Sequence, residues 1–265
     1  MSANKNLNTT FDTVASLYDK MRPDYPPDVY QAIFDYITLD KTSNAIEIGI
    51  GGGQASLPIL KTGCNLTAVE CGQQFSDLCR NKFGNYNNFS VVTGKFEDVA
   101  LPCGKYDLIY SATAFHWISE RIGYTKVFSL LRSGGVFARF ANHPYPSKDN
   151  PDLTNEINRL YAQYYYKFYN KSPQAPNEYG EKQAEQIAKI SEKYGFTDIK
   201  YYLFHRTRVF SAREYVMLLG TYSDHIAIDK NIRQEFFSKI SEAINAHGGS
   251  IKIHDTIDLE LSRKP

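Results

Sequence analysis

Between residues 44 and 141 apolar runs alternate with helical patterns, and the first run, Ala45-Ile-Glu-Ile48, breaks at once into Gly49, Gly51, Gly52 and Gly53. This alternation constrains the fold more than any other feature. Strands are expected near 44–48, 65–70, 89–93, 106–111 and 135–141, with helices near 53–61, 73–83 and 119–131. Strands joined through helices pair in parallel, and right-handed crossovers place those helices on both faces of the sheet. The expected class is α/β, a doubly wound and mostly parallel sheet.

The flanking segments add helices. Leu7, Phe11, Val14, Leu17 and Tyr18 have helical spacing over roughly 7–20, and Met21-Arg-Pro-Asp-Tyr-Pro-Pro27 ends that helix. Pro27 suits the first turn of a second helix, whose buried stripe is Val29, Tyr30, Ile33, Phe34 and Ile37. Arg132-Ser-Gly-Gly135 reads as a helix stop before the fifth strand. Past Pro144 the pattern changes, and helical spacing near 152–170 and 178–194, separated by Ser172-Pro-Gln-Ala-Pro176, reads as a helical cap inserted at 143–195. A sixth strand near 197–209, helices near 211–222 and 229–246, and the alternation Ile251, Ile253, Ile257, Leu259, Leu261 complete one domain over 1–265.

Charge removes some functions from consideration. Thirty Lys and Arg against 29 Asp and Glu leave a net charge of +1, so nothing general draws the chain to nucleic acid or an anionic membrane. No run approaches the ~20 apolar residues that span a bilayer. Met1 to Thr10 has no apolar signal core, so a cytoplasmic location is expected. Cys64, Cys71, Cys79 and Cys103 lack C-x-x-C spacing and read as buried free thiols, with no metal site implied.

The glycine run reads as a nucleoside site. An apolar strand that turns into glycines lets backbone approach a ligand at the start of a helix. Glu70 ends the next apolar run, about 20 residues on, where a carboxylate can accept from both ribose hydroxyls. Dinucleotide binding requires G-x-G-x-x-G or a final Ala, but from Gly49 the last position is Gln54 and from Gly51 it is Ser56. A pyrophosphate is therefore disfavoured, and Glu47 beside the loop suits a cationic ligand.

Strand, Glu47, Gly49, Gly51 and Gly53, followed by Glu70, resemble motif I of the class I S-adenosylmethionine-dependent methyltransferases. Tyr106-Asp-Leu-Ile-Tyr-Ser-Ala-Thr-Ala-Phe-His-Trp117 is similar to that of its trans-aconitate-methyltransferase-like, type 11 group, and Phe11-x-x-x-Ala15-x-x-Tyr18-x-x-x-Arg22-Pro23-x-Tyr25-Pro26 resembles the amino-terminal segment of many small-molecule methyltransferases of the class. The resemblance implies the Rossmann-like fold of seven strands with an antiparallel edge strand, S-adenosylmethionine as cofactor, and a small-molecule methyl acceptor, the chain acting as monomer or homodimer. It implies cofactor contacts from Gly49 to Gln54, from Glu70 and Cys71, from Phe96 against the purine, from Glu97 at its amine, and from Ser111. It also implies that Tyr18 and Arg22 cover the methionine end. In Gly94-Lys-Phe-Glu-Asp98, after the third strand, Lys95 stands where the family often has an acid following the glycine, so an adenine contact through that acid is not available.

His116 is the expected catalytic residue, since a neutral imidazole can take a proton from a hydroxyl or amine. It could instead cap the next helix. Methyl transfer from a sulfonium needs mostly alignment, with up to about 7–11 kcal/mol available from positioning in favourable cases. A carboxylate acceptor would need no base, and Arg139, Arg206 or Arg208 would be its partners. The competing readings are a cofactor-binding protein without catalysis and a nicotinamide-dependent oxidoreductase on the same sheet.

Overall fold

The computed structural model describes residues 14–174 and 177–265. The expected helix start at Leu7 and Phe11, and the Ala175-Pro176 pair, lie outside the described residues. Helices α1 (Ala15–Met21) and α2 (Pro27–Tyr36) precede β1 (Asn44–Ile48), α3 (Ser56–Leu60), β2 (Asn65–Glu70), α4 (Gln73–Lys82), β3 (Phe89–Thr93), β4 (Tyr106–Ala112), α5 (Glu120–Leu130) and β5 (Leu131–Pro146). Then come α6 (Pro151–Leu160), a π-helical turn (Tyr161–Tyr166), α7 (Glu181–Glu192), β6 (Thr197–Ser211), α8 (Ala212–Leu219), α9 (Ser223–Ile226), α10 (Lys230–Ala246) and β7 (Ser250–Arg263).

The strands form one seven-stranded sheet in the order β3-β2-β1-β4-β5-β7-β6. Parallel pairing joins β1 to β2 and β4, β2 to β3, and β4 to β5. Strand β7 reverses direction against β5: Gly134 donates to the Lys264 carbonyl at one end, and Ser147 donates to that of Lys252 at the other. With β6 it makes the antiparallel edge that the resemblance implied. Order reverses between β1 and β4, which is where open α/β sheets bind ligands, beyond the carboxyl ends of the strands.

Contacts divide the chain into two units, each with its own core. The larger holds Pro23–His143, Tyr179–Phe204 and Thr256–Pro265. Its strands alternate strictly: Ala45, Leu108, Tyr110, Val136 and Ala138 pack with Val29, Ile33 and Ile59 on one face, while Ile46, Ile109 and Phe137 pack with Tyr124, Val127 and Phe196 on the other. Period two produces both layers. The smaller unit holds, of the described residues, those up to Arg22, those from Pro144 to Glu178 and His205–Asp255, with Leu153, Ile157, Leu218, Phe236, Ile240 and Ile253 at its centre. Of the two helical patterns past Pro144, α6 with its π-helical turn belongs to the smaller unit and α7 to the larger.

Several boundaries differ from the sequence expectation. Helix α3 has five residues instead of spanning 53–61, because Gly51 and Gly53 take φ of +53° and +77° and wind the chain as turn before Ser56. Arg132-Ser-Gly-Gly135 falls inside β5, where a register shift opposite Tyr106 and Leu108 absorbs it. The helix expected at 211–222 ends at Leu219 and restarts at Ser223. Cys64 and Cys79 are buried as expected, but Cys71 is half-buried and Cys103 is exposed, since the turn before β4 leaves its side chain outside the core.

In the smaller unit, β6 and β7 are tied by a buried ionic cluster. Asp255, 0% exposed, accepts from Arg208 Nε at 2.5 Å and Nη2 at 2.8 Å and from Arg206 Nε at 3.1 Å. Removing one partner of such a cluster strands the other charge in a poorly solvated place. Asp255→Ala should therefore lower the unfolding free energy by about 3–5 kcal/mol in denaturant titrations. A loss under about 1 kcal/mol, the range of solvated pairs, would contradict this role.

Candidate active site

All strand ends at the switch point lie in the larger unit, and the loop after β1 is the most constrained of them. Gly49, Gly51 and Gly53 each have positive φ, at +73°, +53° and +77°. A Cβ on Gly49 would meet Ala114 Cβ at 2.5 Å, and one on Gly53 would meet the Phe83 ring at 2.5 Å. No other residue type fits there. Gly49 donates to the Val69 carbonyl at 2.8 Å, which locks the loop to the end of β2.

Glu70 is the centre of this arrangement. Its Oε2 accepts from Gly51 N–H at 3.0 Å and its Oε1 from Gly72 N–H at 2.8 Å, so one carboxylate fastens the loops after β1 and β2. Its backbone carbonyl accepts from Gly94 N–H at 2.8 Å, joining the third loop. Cys71 Sγ lies 3.6 Å from Glu70 Oε1, while Gln54 is half-buried at the end of the glycine turn. Helix α4 contributes two contacts that sequence reasoning missed. Cys79 Sγ meets the Gly51 carbonyl at 3.1 Å, and Lys82 Nζ donates to that of Gly52 at 2.8 Å. Helical spacing of 79 and 82 on a helix beside the loop was the available signal.

Glu47 lies beneath the loop. Alternation in β1 turns it to the same face as Ala45, where it is 1% exposed and accepts from Ser56 Oγ at 2.6 Å and Tyr110 Oη at 2.7 Å. Burial pushes its carboxyl up to about 7, against the pull of those two hydrogen bonds. Ser111, also buried, donates to the Ile48 carbonyl at 3.0 Å and ties β4 to β1. Phe96 is packed into the core with Lys126 Nζ 5.1 Å from its ring centroid, and that ammonium donates to the Glu97 and Val99 carbonyls at 3.1 and 2.6 Å. Tyr18 and Arg22 belong to the smaller unit. There the Arg22 guanidinium donates to Thr221 Oγ1 at 2.9 Å and stands 4.8 Å from the Tyr18 ring and 4.1 Å from that of Tyr222.

Beyond β4 the backbone is strained at Thr113, a non-glycine residue with φ of +53°, a conformation costing about 1–3 kcal/mol. Three hydrogen bonds hold it: its N–H donates to the Phe140 carbonyl at 2.8 Å, its hydroxyl pairs with Tyr25 Oη at 2.6 Å, and that hydroxyl accepts from Asn142 N–H at 3.1 Å. The turn then presents His116 in a short 3₁₀ segment, Phe115–Trp117, with its ring 4.9 Å from that of Trp117. His116 reaches solvent yet is crowded by protein. Desolvation first, then the charges of Arg139 and His143, hold its pKa below the ordinary 6.5, so it is neutral at pH 7.

A second polar cluster joins β5 to β7. Arg139 faces Glu260 at 4.0 Å and Tyr124 Oη at 3.4 Å, and burial raises Glu260 to about 8 despite Arg139, Ser191 and Tyr124. His143 Nε2 is 2.9 Å from Asp258 Oδ1. None of these β7 residues carried a sequence signal.

The family model described as "Methyltransferase domain" matches residues 46–139, the segment from the glycine loop to β5. An uncharacterized methyltransferase of Schizosaccharomyces pombe is 23% identical over 90% of this chain and 88% of its own length. A malonyl-[acyl-carrier protein] O-methyltransferase of Ilyobacter polytropus is 28% identical over 53% of this chain and 54% of that protein. Among solved structures, a proposed type II methyltransferase from Anaeromyxobacter dehalogenans superimposes with a TM-score of 0.64 at 18% identity, covering 91% of this chain and 97% of the other. Phosphoethanolamine N-methyltransferase 2 of Haemonchus contortus, in complex with S-adenosyl-L-methionine, gives 0.57 at 14% identity, covering 100% of this chain and 60% of the other. At these identities the structural likeness is one of fold.

Two buried carboxyls give the unit a pH signature. Glu47 and Glu260 bind protons more tightly folded than unfolded, so their contribution is complete below the ordinary 4.5 and is lost as pH rises to about 7 and about 8. Stability measured by denaturant should fall across that window. Glu47→Gln, which keeps the site neutral, should flatten the lower part of the fall; an unchanged profile would refute the assignment.

Proposed function

Since this chain belongs to the class I S-adenosylmethionine-dependent methyltransferases, we propose that it methylates a small-molecule acceptor whose polar group lies against His116. The observation that carries the reading is the glycine loop fastened by Glu70. Left-handed glycines at 49, 51 and 53 leave backbone where a ligand can approach; Glu70 is the carboxylate fastened to it, Lys82 donates to the Gly52 carbonyl, and Glu47 is buried beneath it. A carboxylate at Glu70 suits a cofactor with a ribose diol, a sulfonium and an ammonium. A pyrophosphate would want the reverse. The residues therefore fit the cofactor.

When bound, S-adenosylmethionine supplies an electrophilic methyl group on sulfur. The chain's contribution is to hold and align. Backbone of Gly49 to Gln54 meets the methionine end, Glu70 accepts from the ribose diol, and the loop carrying Phe96 and Glu97 borders the adenine. Neutral His116 can accept a hydrogen bond from an acceptor hydroxyl or amine. Related proteins are named for both O- and N-methylation, so kinship leaves the acceptor atom open.

Titration calorimetry with S-adenosylmethionine tests the cofactor site, and a panel of phenols, amines and carboxylates assayed by S-adenosylhomocysteine release tests the acceptor. Glu70→Ala should weaken cofactor binding by about 1.5–3 kcal/mol through loss of charge-assisted hydrogen bonds. Wild-type affinity in that variant would remove Glu70 from the site.

A further inference from the structure

Two imidazoles border the same strand ends, and only one is backed by a carboxylate. His143 stands near the end of β5, its Nε2 2.9 Å from Asp258 Oδ1. Asp258, on β7 and 5% exposed, also accepts from Ala141 N–H at 3.0 Å and from Tyr179 Oη at 3.2 Å. The Tyr179 ring covers the imidazole at 3.8 Å with the planes 8° apart. Three segments distant in sequence thus fix one histidine ring from its edge and its face. Because a carboxylate accepts, the neutral ring carries its hydrogen on Nε2 and keeps the lone pair on Nδ1. Among the described residues no partner is recorded for Nδ1, and the side chain is 32% exposed.

We propose that His143, oriented by Asp258 and Tyr179, is the general base that takes the acceptor's proton. The inference rests on the methyltransferase reading above and names the base within it. His116 differs in its surroundings. Desolvation first, then the charges of Arg139 and His143, oppose its protonation, which suits a hydrogen-bond acceptor better than a base. His143 is instead held by a carboxylate at its edge and an aromatic ring on its face, which fix the direction of its other nitrogen. The acceptor's O–H or N–H bond breaks, its proton passes to Nδ1, and the lone pair left behind forms the bond to the methyl carbon while the sulfur keeps the electron pair of its broken bond. The imidazolium is then paired with Asp258. This arrangement selects a hydroxyl or amine acceptor, because a carboxylate would make the dyad redundant. His143 is the catalytic residue here; Asp258 and Tyr179 are positioning residues.

Asp258 on β7 and Tyr179 before α7 touch His143, His116 after β4 interacts with it, and Arg139 on β5 and Glu260 on β7 act on Asp258 and Tyr179 in turn. Burial and the Asp258 charge push the Tyr179 phenol up, so it stays a donor to Asp258. Imidazole nitrogen NMR on the wild-type protein should find His143 as the Nε2–H tautomer, with that population reduced in Asp258→Asn. With the acceptor found by the panel, His143→Gln should lower kcat by about 10²–10⁴-fold while cofactor affinity is unchanged. Asp258→Asn should move the acidic limb of the pH–rate profile, which a merely structural carboxylate would leave in place. His116→Ala should raise KM more than it lowers kcat. An Nδ1–H tautomer, full turnover in His143→Gln, or methylation confined to carboxylates would overturn the dyad alone. Cofactor binding without turnover across the panel would overturn the dyad and the acceptor reading together.

Discussion

The carboxylate of Glu70 is the fastening on which the site depends. One oxygen holds the Gly51 amide and the other the Gly72 amide, while the same residue's carbonyl takes the Gly94 amide. Three loops that leave three neighbouring strands are therefore registered by a single residue at the end of β2. Charge-assisted bonds of this kind are stronger than neutral ones. The glycines complete the arrangement from the opposite direction, since Gly49 and Gly53 lie where a Cβ would collide with Ala114 and Phe83.

Most of the larger unit's fold was legible because it rests on period. Ile46 against Ile109 and Phe137, and Ala45 against Leu108 and Val136, follow from alternation along buried parallel strands. The glycine run and Glu70 were legible for a similar reason, since the turn chemistry is written in consecutive residues. Boundaries were harder. Helix α3 lost its first turn to the left-handed glycines that define the loop, so the site itself set where the helix could begin.

What the sequence hid is what the antiparallel strand assembles. Asp258, Glu260 and His143 come from strands adjacent only because β7 inserts beside β5, and Tyr179, expected within a helix at 178–194, instead stands just before α7, which begins at Glu181. Glu47 was visible but its setting was not. It accepts from Ser56 and Tyr110, and burial outweighs those two bonds to push its carboxyl up to about 7. The pairing of Arg208 and Arg206 with Asp255 is likewise a product of strand register that single-sequence reasoning cannot supply.

The central claim is that the loops registered by Glu70 close on S-adenosylmethionine. Amide hydrogen exchange with and without saturating S-adenosylmethionine tests it most directly. The account predicts slowed exchange at 49–54, 70–72 and 94–97, with the interior of β1 and β2 unchanged. Binding of the cofactor with no added protection in those three loops would contradict it.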